Sequence, residues 1–526
     1  MFYRSFSLLV PLAREADLPS PRFPGGSPDV AQAMAPDQED MPLSERLKSP
    51  ERYGALQISR RRALETLLRA EITEARLARA VDLLCAVCEE SRWSENPEGE
   101  PFDDDTHPVI DFQCAETLML LGWTVRAFGE RLTPRVAGKL LYEARRRVFS
   151  PFLAHDDYPF MRGRGPRPLC VLSDILLSAL LLEHNEQRRA AILKQALRQL
   201  DQAVAARDKR PQALTDAAAE TGAITDLAEC LCRATQGRVD LRPTYPTPEW
   251  LDQLLFPWLE GAWFCDPAGE GMRPPVSGAE LYRIGRAVDD DALTALGASL
   301  HRLRALPSAT LTGRLMDAAL ADDLAAENRK PPRIRSAATP CSRVMVSRFS
   351  GMTCAVHAGG NAANAGGLML FCDGQPVLIE TRDCLNLPRI DGRGQLEKPE
   401  QGCEAEFRPG ADRDMLSVDL THAWPPGLCS ASQRTAIIDR ADAVLRLVDA
   451  FEMEEEATVT FRFHTPFEPG RLAAGLRLGP VDFTWEGDMR AKTTPLPGDV
   501  PVYRVELTTP APVGRTICTF AFARHE

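Results

Sequence analysis

Between residues 56 and 326 apolar side chains recur at three- and four-residue spacing, as in Leu64, Leu67, Leu68 and Ile72, in Phe112, Ala115, Met119 and Gly122, and in Leu193, Leu197, Leu200 and Val204. That period gathers them on one face of a helix. Thr133-Pro134 and Thr247-Pro248 mark two helix starts. A threonine hydroxyl accepts from the free amides of a first turn, and proline already holds the helical φ. About ten such helices with short connections must bury their stripes against one another, which predicts stacked antiparallel hairpins or a ring of them.

Near Lys330-Pro331-Pro332 the period changes to two, which places a domain boundary there. Residues 367–380 read as a hairpin, with Leu368, Phe371, Val377 and Ile379 flanking a turn at Asp373-Gly374. Val459/Phe461/Phe463, Val481/Phe483/Trp485, Tyr503/Val505/Leu507 and Cys518/Phe520/Phe522 alternate with polar residues. Such strands, apolar on one face, predict an antiparallel β-sandwich. Residues 17–42 are rich in Pro, Gly, Ser and acidic side chains, so residues 1–50 are expected to be a mobile arm outside the core.

A chain of 526 residues exceeds what one core usually supports, in keeping with two domains. The formal charge of −12 argues against nucleic-acid binding, which needs a surplus of cations on the docking face. The basic runs Arg60-Arg61-Arg62, Arg145-Arg146-Arg147 and Arg162/Arg164/Arg167 read as solvated helix faces unless they cluster in space. Fourteen cysteines lie scattered through apolar stretches, as reduced buried thiols do. Cys85 and Cys88 continue the helical stripe of Val81 and Leu84, so they read as core residues and not as a redox or metal pair. The first residues do not form a convincing signal peptide and no segment is long enough to span a bilayer, which points to the cytoplasm.

Several blocks, in order along the chain, resemble the heparinase II/III family of polysaccharide lyases. They are residues 60–91, ending in Ala86-Val87-Cys88-Glu89-Glu90-Ser91, then His107-Pro108-Val109-Ile110-Asp111 running into Ala115-Glu116-Thr117. Gly129-Glu130-Arg131-Leu132 and residues 234–241 follow, then residues 361–379, and Asn386-Leu387-Pro388-Arg389-Ile390-Asp391-Gly392 with Gln395. The resemblance implies a multidomain α + β fold. An (α/α) toroid-like helical domain would cover residues 51–330 and an antiparallel β-sandwich residues 331–526. It also implies β-elimination at a uronate, which needs a group to neutralise the carboxylate, a base for the weakly acidic carbon and an acid for the leaving oxygen.

The resemblance fails where that chemistry would reside. Where the family carries Asn-His-Asn-Asp, this chain reads Asn361-Ala362-Ala363-Asn364, so an imidazole and a carboxylate that would orient or hold zinc are both replaced. The histidine expected before the Asn386 block is Leu385, and the loop before it has shrunk to Glu380-Thr381-Arg382-Asp383-Cys384. The segment expected to supply a tyrosine places Asp216 there. No metal and no other cofactor are expected.

His357 is a candidate base, or else a hydrogen-bonded strand histidine, and Tyr158 a candidate acid, or else a packing residue. His107 reads as a helix-entry hydrogen-bonder. Asn361, Asn364, Asn386 and Arg389 are candidate substrate-binding residues, with turn formation as the alternative. The expected function is a glycan-binding or regulatory pseudoenzyme whose partner is an acidic polysaccharide or oligosaccharide, with no nucleic acid and no membrane. An active lyase with a non-standard base and a structural interaction protein remain as alternatives.

Overall fold

The computed structural model describes residues 30–35, 42, 48–95, 109–155, 158, 160–161, 167–207, 213–265, 276–338, 344–357, 365–380, 385–396, 403–498 and 500–525. The chain divides into two compact units, one comprising Met1–Asp208, Ala218–Thr247 and Ser277–Lys330, the other Lys209–Ala217, Pro248–Val276 and Pro331–Glu526.

The first unit is helical. Its helices include Pro50–Leu68, Glu74–Cys88, Phe112–Phe128, Pro134–Ala144, Pro168–Leu182, Glu186–Arg207, Gly278–Ala287, Asp291–Leu303 and Leu311–Ala319. Side-chain oxygens cap their free amides: Asp111 accepts from the Cys114 amide at 2.8 Å, Thr133 from Val136 at 3.4 Å, and Thr310 from Gly313 at 3.1 Å. The stripe Leu193, Leu197, Leu200 and Val204 is buried. Helix Pro168–Leu182 is buried on nearly every side, as its apolar sequence requires of an interior helix.

Helices Gly278–Ala287 and Asp291–Leu303 approach so closely that a Cβ at Gly278 or Gly297 would strike the backbone of the opposite helix, and one at Gly285 would lie 2.5 Å from the Thr294 amide. From this pair Arg283 reaches Asp226 and Asp317.

Three expectations are corrected in this unit. The buried stripe of Glu74–Cys88 is Ala80, Leu83, Leu84, Val87 and Cys88, which turns Cys85 out to solvent. Residues Val30–Met34, inside the expected mobile arm, form a short helix with Ala33 buried and its carbonyl accepting from Arg79 Nε at 3.2 Å. Arg60, Arg61 and Arg145 to Arg147 are ion-paired, not merely solvated: Arg60 and Arg61 share Glu90, Arg146 and Arg147 share Glu143, and Arg145 pairs with Glu183. Those carboxylates are buried and would be costly without partners.

The second unit is built of antiparallel sheets. In chain order its strands are β1 (Trp258–Glu260), β2 (Trp263–Phe264), β3 (Ser336–Ala338), β4 (Val344–Phe349), β5 (Met352–His357), β6 (Leu368–Cys372), β7 (Gln375–Leu378) and β8 (Pro388–Ile390). They continue as β9 (Ala405–Arg408), β10 (Arg413–Asp419), β11 (Cys429–Asp439), β12 (Val444–Met453), β13 (Ala457–Thr465), β14 (Gly470–Leu472) and β15 (Gly475–Leu478). The last are β16 (Val481–Trp485), β17 (Arg490–Leu496), β18 (Val502–Ala511) and β19 (Gly514–Arg524). A five-stranded sheet runs β3-β4-β5-β6-β7, a four-stranded one β17-β18-β13-β8, and an eight-stranded one β14-β15-β16-β19-β12-β11-β10-β9.

The β6–β7 hairpin turns at Asp373 and Gly374, both at positive φ, as a two-residue loop that follows strand twist requires. Alternate residues of the three larger sheets, among them Leu370, Val459, Phe461, Phe463, Val505, Leu507, Phe520 and Phe522, bury into one core. The β1–β2 hairpin, which the period of three and four does not reveal, packs Leu259 and Trp263 with Val344, Val346, Ala355 and Phe371.

Arg434 on β11 stands opposite Asp449 on β12 and holds it through two bonds of 2.7 and 2.8 Å. Its remaining nitrogen donates to the carbonyls of Gly366 at 2.9 Å and Asn386 at 2.6 Å. Both members of the pair are buried. Removing one alone leaves an uncompensated charge, so Asp449→Asn is expected to cost about 3–5 kcal/mol in urea unfolding, and Arg434→Met with Asp449→Leu considerably less. Equal losses in the single and double variants would contradict this.

Candidate functional site

His357 ends β5, where its amide donates to the Gly367 carbonyl and its carbonyl accepts from Gly366, each at 2.9 Å. The residue is 5% exposed, with Nε2 3.5 Å from Glu380 Oε2 and 3.5 Å from Cys265 Sγ. Glu380 Oε1 accepts from the amides of Leu368 at 3.0 Å and Asn386 at 2.9 Å. Gly367 makes room for this carboxyl, since a Cβ there would lie 2.6 Å from Glu380 Oε1. Burial lowers the imidazole pKa to about 4 and raises that of Glu380 to about 7.

Asn386 is fully buried. Its Nδ2 donates to the carbonyls of Leu368 at 2.7 Å and Ile379 at 3.0 Å, and its Oδ1 accepts from the His464 amide at 2.7 Å. His464 Nδ1 stands 3.3 Å from the same oxygen, and burial, with Arg504 and Arg462 nearby, takes its pKa to about 4.

Of the residues singled out in the sequence, the structure brings His357 and Asn386 into one network but closes both off from solvent. Asn386 serves the backbone here, because its amide groups are spent on strand ends that lack ladder partners. Tyr158 belongs to the first unit, where its hydroxyl donates to the Pro151 carbonyl at 2.5 Å and its ring stacks between Phe152 and Phe160. Arg389 is partly exposed on β8 and donates to the Gly392 carbonyl at 3.2 Å. Asn361, Asn364, Ala362 and His107 lie outside the described residues.

The helical unit holds a pocket of about 510 Å³ that the sequence does not announce. It lies between helices Pro50–Leu68, Phe112–Phe128 and Leu311–Ala319, and Arg61, Arg62, Arg69, Arg314, Glu65 and Glu116 line it. Arg314 binds Glu65 at 3.0 Å and Glu116 at 3.1 Å, while Arg62 is exposed and makes no ion pair among the described residues. Behind Glu116, Asp174 has one buried oxygen without a hydrogen-bond partner among the described residues, and burial raises its pKa well above the usual carboxylate range, reinforced by the Glu116 charge. Glu116 belongs to the Ala115-Glu116-Thr117 block, whereas Arg314 carries no local signal.

No family model and no curated protein matches the chain. Among solved structures, it is similar to the chondroitin AC lyase of Streptomyces coelicolor A3, in complex with chondroitin sulphate, at 12% identity and a TM-score of 0.52 over 99% of this chain and 83% of that one. The fold is that of a polysaccharide lyase. The heparan sulfate lyase HepC of Pedobacter heparinus, as a mutant, aligns at 11% identity and a TM-score of 0.43 over 93% and 92% of the two chains.

Between pH 4.5 and 6.5 the His357–Glu380 pair holds one proton when folded, on Glu380, and one when unfolded, on the histidine. The two effects on stability cancel. His464, with its pKa lowered from 6.5 to about 4, contributes stability that is full above pH 6.5 and lost as pH falls towards 4. Glu380→Gln removes the opposing carboxyl, so its unfolding free energy, measured in urea, should drop more steeply with falling pH than that of the wild type over this window, by about 1.4 kcal/mol more per pH unit. Parallel pH profiles would show that Glu380 is already ionised in the folded chain.

Proposed function

We propose that this protein is a heparinase II/III-like pseudoenzyme, an (α/α) toroid-like domain followed by an antiparallel β-sandwich, that has given up β-elimination and binds acidic polysaccharide in a recognition or regulatory role. The observation that carries this reading is the confinement of His357. A base must reach a substrate proton, yet this imidazole faces Glu380 and Cys265 in a buried setting. Tyr158 has likewise committed its hydroxyl to Pro151.

Binding without turnover is supported by the arginine-lined pocket of the helical unit, where guanidinium groups suit carboxylates and sulphates. The neighbour bound to chondroitin sulphate makes an acidic glycan the first ligand to try. A zinc role is not part of this reading, because Ala362 and Asn364 offer neither imidazole nor carboxylate. Cytoplasmic residence fits the described cysteines, all of them free thiols.

Purified protein incubated with a panel of uronate-containing polysaccharides should give no rise in the ultraviolet absorbance of an unsaturated product, and should bind one or more of them in calorimetry. Arg62→Glu should weaken that binding about tenfold, since it places a carboxylate where the pocket offers an uncommitted guanidinium. Robust turnover would refute the proposal. In a separate test, Ala362→His with Asn364→Asp should not acquire stoichiometric zinc by elemental analysis, because the neighbouring loop is also shortened; one zinc per chain would overturn that part.

A further inference from the structure

The four-stranded sheet buries one face and turns the other outward. Val459, Phe461 and Phe463 of β13 and Val505 and Leu507 of β18 enter the core, so the residues between them point the opposite way. The strand register sets those outward residues in rows. One row is Arg389, Thr460, Thr508 and Arg490; the next is Arg462, Glu506 and Lys492; in the third Arg504 stands beside Thr494, while His464 on its other side is buried against Asn386. Five cations therefore surround the single carboxylate of Glu506.

That carboxylate is shared. Arg462 bonds it at 2.9 Å and Arg504 Nε approaches at 3.4 Å without completing a hydrogen bond. Arg490 and Lys492 are exposed, and Arg462 and Arg504 keep 23% and 28% of their side chains open to solvent. Burial and then the neighbouring charge of Arg389 pull the Arg462 pKa below its ordinary value, against the opposing effect of Glu506.

We infer that this outward face of β17, β18, β13 and β8 is a docking surface for an anionic glycan chain, distinct in its residues from the arginine-lined pocket of the helical unit. The choice of a glycan rests on the function proposed above; the choice of an anion rests on the rows. Strands about 4.8 Å apart, with outward residues about 6.7 Å apart along each, spread the donors over the span of a few sugar units. Guanidinium groups with spare nitrogens suit sulphate and carboxylate, and the Thr460–Thr508 hydroxyl pair, 3.2 Å apart, suits sugar hydroxyls. Sheets that read single-stranded nucleic acid stack bases on aromatic side chains, and the three rows above contain no Phe, Tyr or Trp.

The test measures binding of a fluorescent chondroitin sulphate octasaccharide to the full chain at several salt concentrations. Arg389→Gln with Arg490→Gln and Lys492→Gln should weaken binding about tenfold and flatten its salt dependence. Glu506→Gln, which adds no bulk and frees two arginines, should tighten it about threefold. Unchanged affinity in both variants, with a loss in Arg62→Glu, would overturn this surface and leave the glycan function standing. A wild type that binds no acidic glycan would remove the function and this inference together. Equal or tighter binding of a DNA duplex or of phosphatidylserine vesicles, lost in the same triple variant, would overturn the assignment to a glycan.

Discussion

Backbone that leaves a sheet inside a protein must find partners for its amides and carbonyls, and around residues 366, 368, 379 and 386 of this chain the partners are side chains. Arg434 takes two carbonyls and the Asn386 amide takes two more, while Glu380 takes two N–H groups. The Asp449 carboxylate pairs with Arg434 in the interior through two hydrogen bonds. The path of the chain from β5 into β6, and from β7 towards β8, depends on this set of bonds.

The same bonds determine what the region can do chemically. A histidine, a glutamic acid and an asparagine in contact invite comparison with an acid–base centre, but here each is held by the fold and screened from solvent. Burial favours the neutral form of both the imidazole and the carboxyl, a stable arrangement for a clasp and a poor one for abstracting a proton from a sugar. The helical pocket and the sheet rows carry guanidinium groups that suit anions, set among the carboxylates of Glu65, Glu116 and Glu506.

The helices with strong stripes, such as the one carrying Leu193 to Val204, and the hairpin turning at Asp373-Gly374, could be read from the sequence because their signals are local: a period of burial, a cap, a pair of residues tolerant of positive φ. The outward positions of Arg462 and Arg504 could be read individually from alternation, but their gathering with Arg389 could not, since it depends on how β8, β13 and β18 pair across long separations. His464 gave no signal, because its partner Asn386 lies 78 residues away. Cys85 misled for a subtler reason. A helix stripe has a phase as well as a period, and a cysteine is apolar enough to sit on either side of its edge.

The close approach of helices Gly278–Ala287 and Asp291–Leu303 has an evolutionary consequence. Three positions on that pair have no space for any side chain, so the usual route of divergence, trading one core residue for another of similar volume, is shut there. Even alanine would wedge the two axes apart and drag Arg283 off the carboxylates of Asp226 and Asp317. Any variant chain that keeps the two helices this close must keep glycine at all three positions, whatever it exchanges elsewhere in the core.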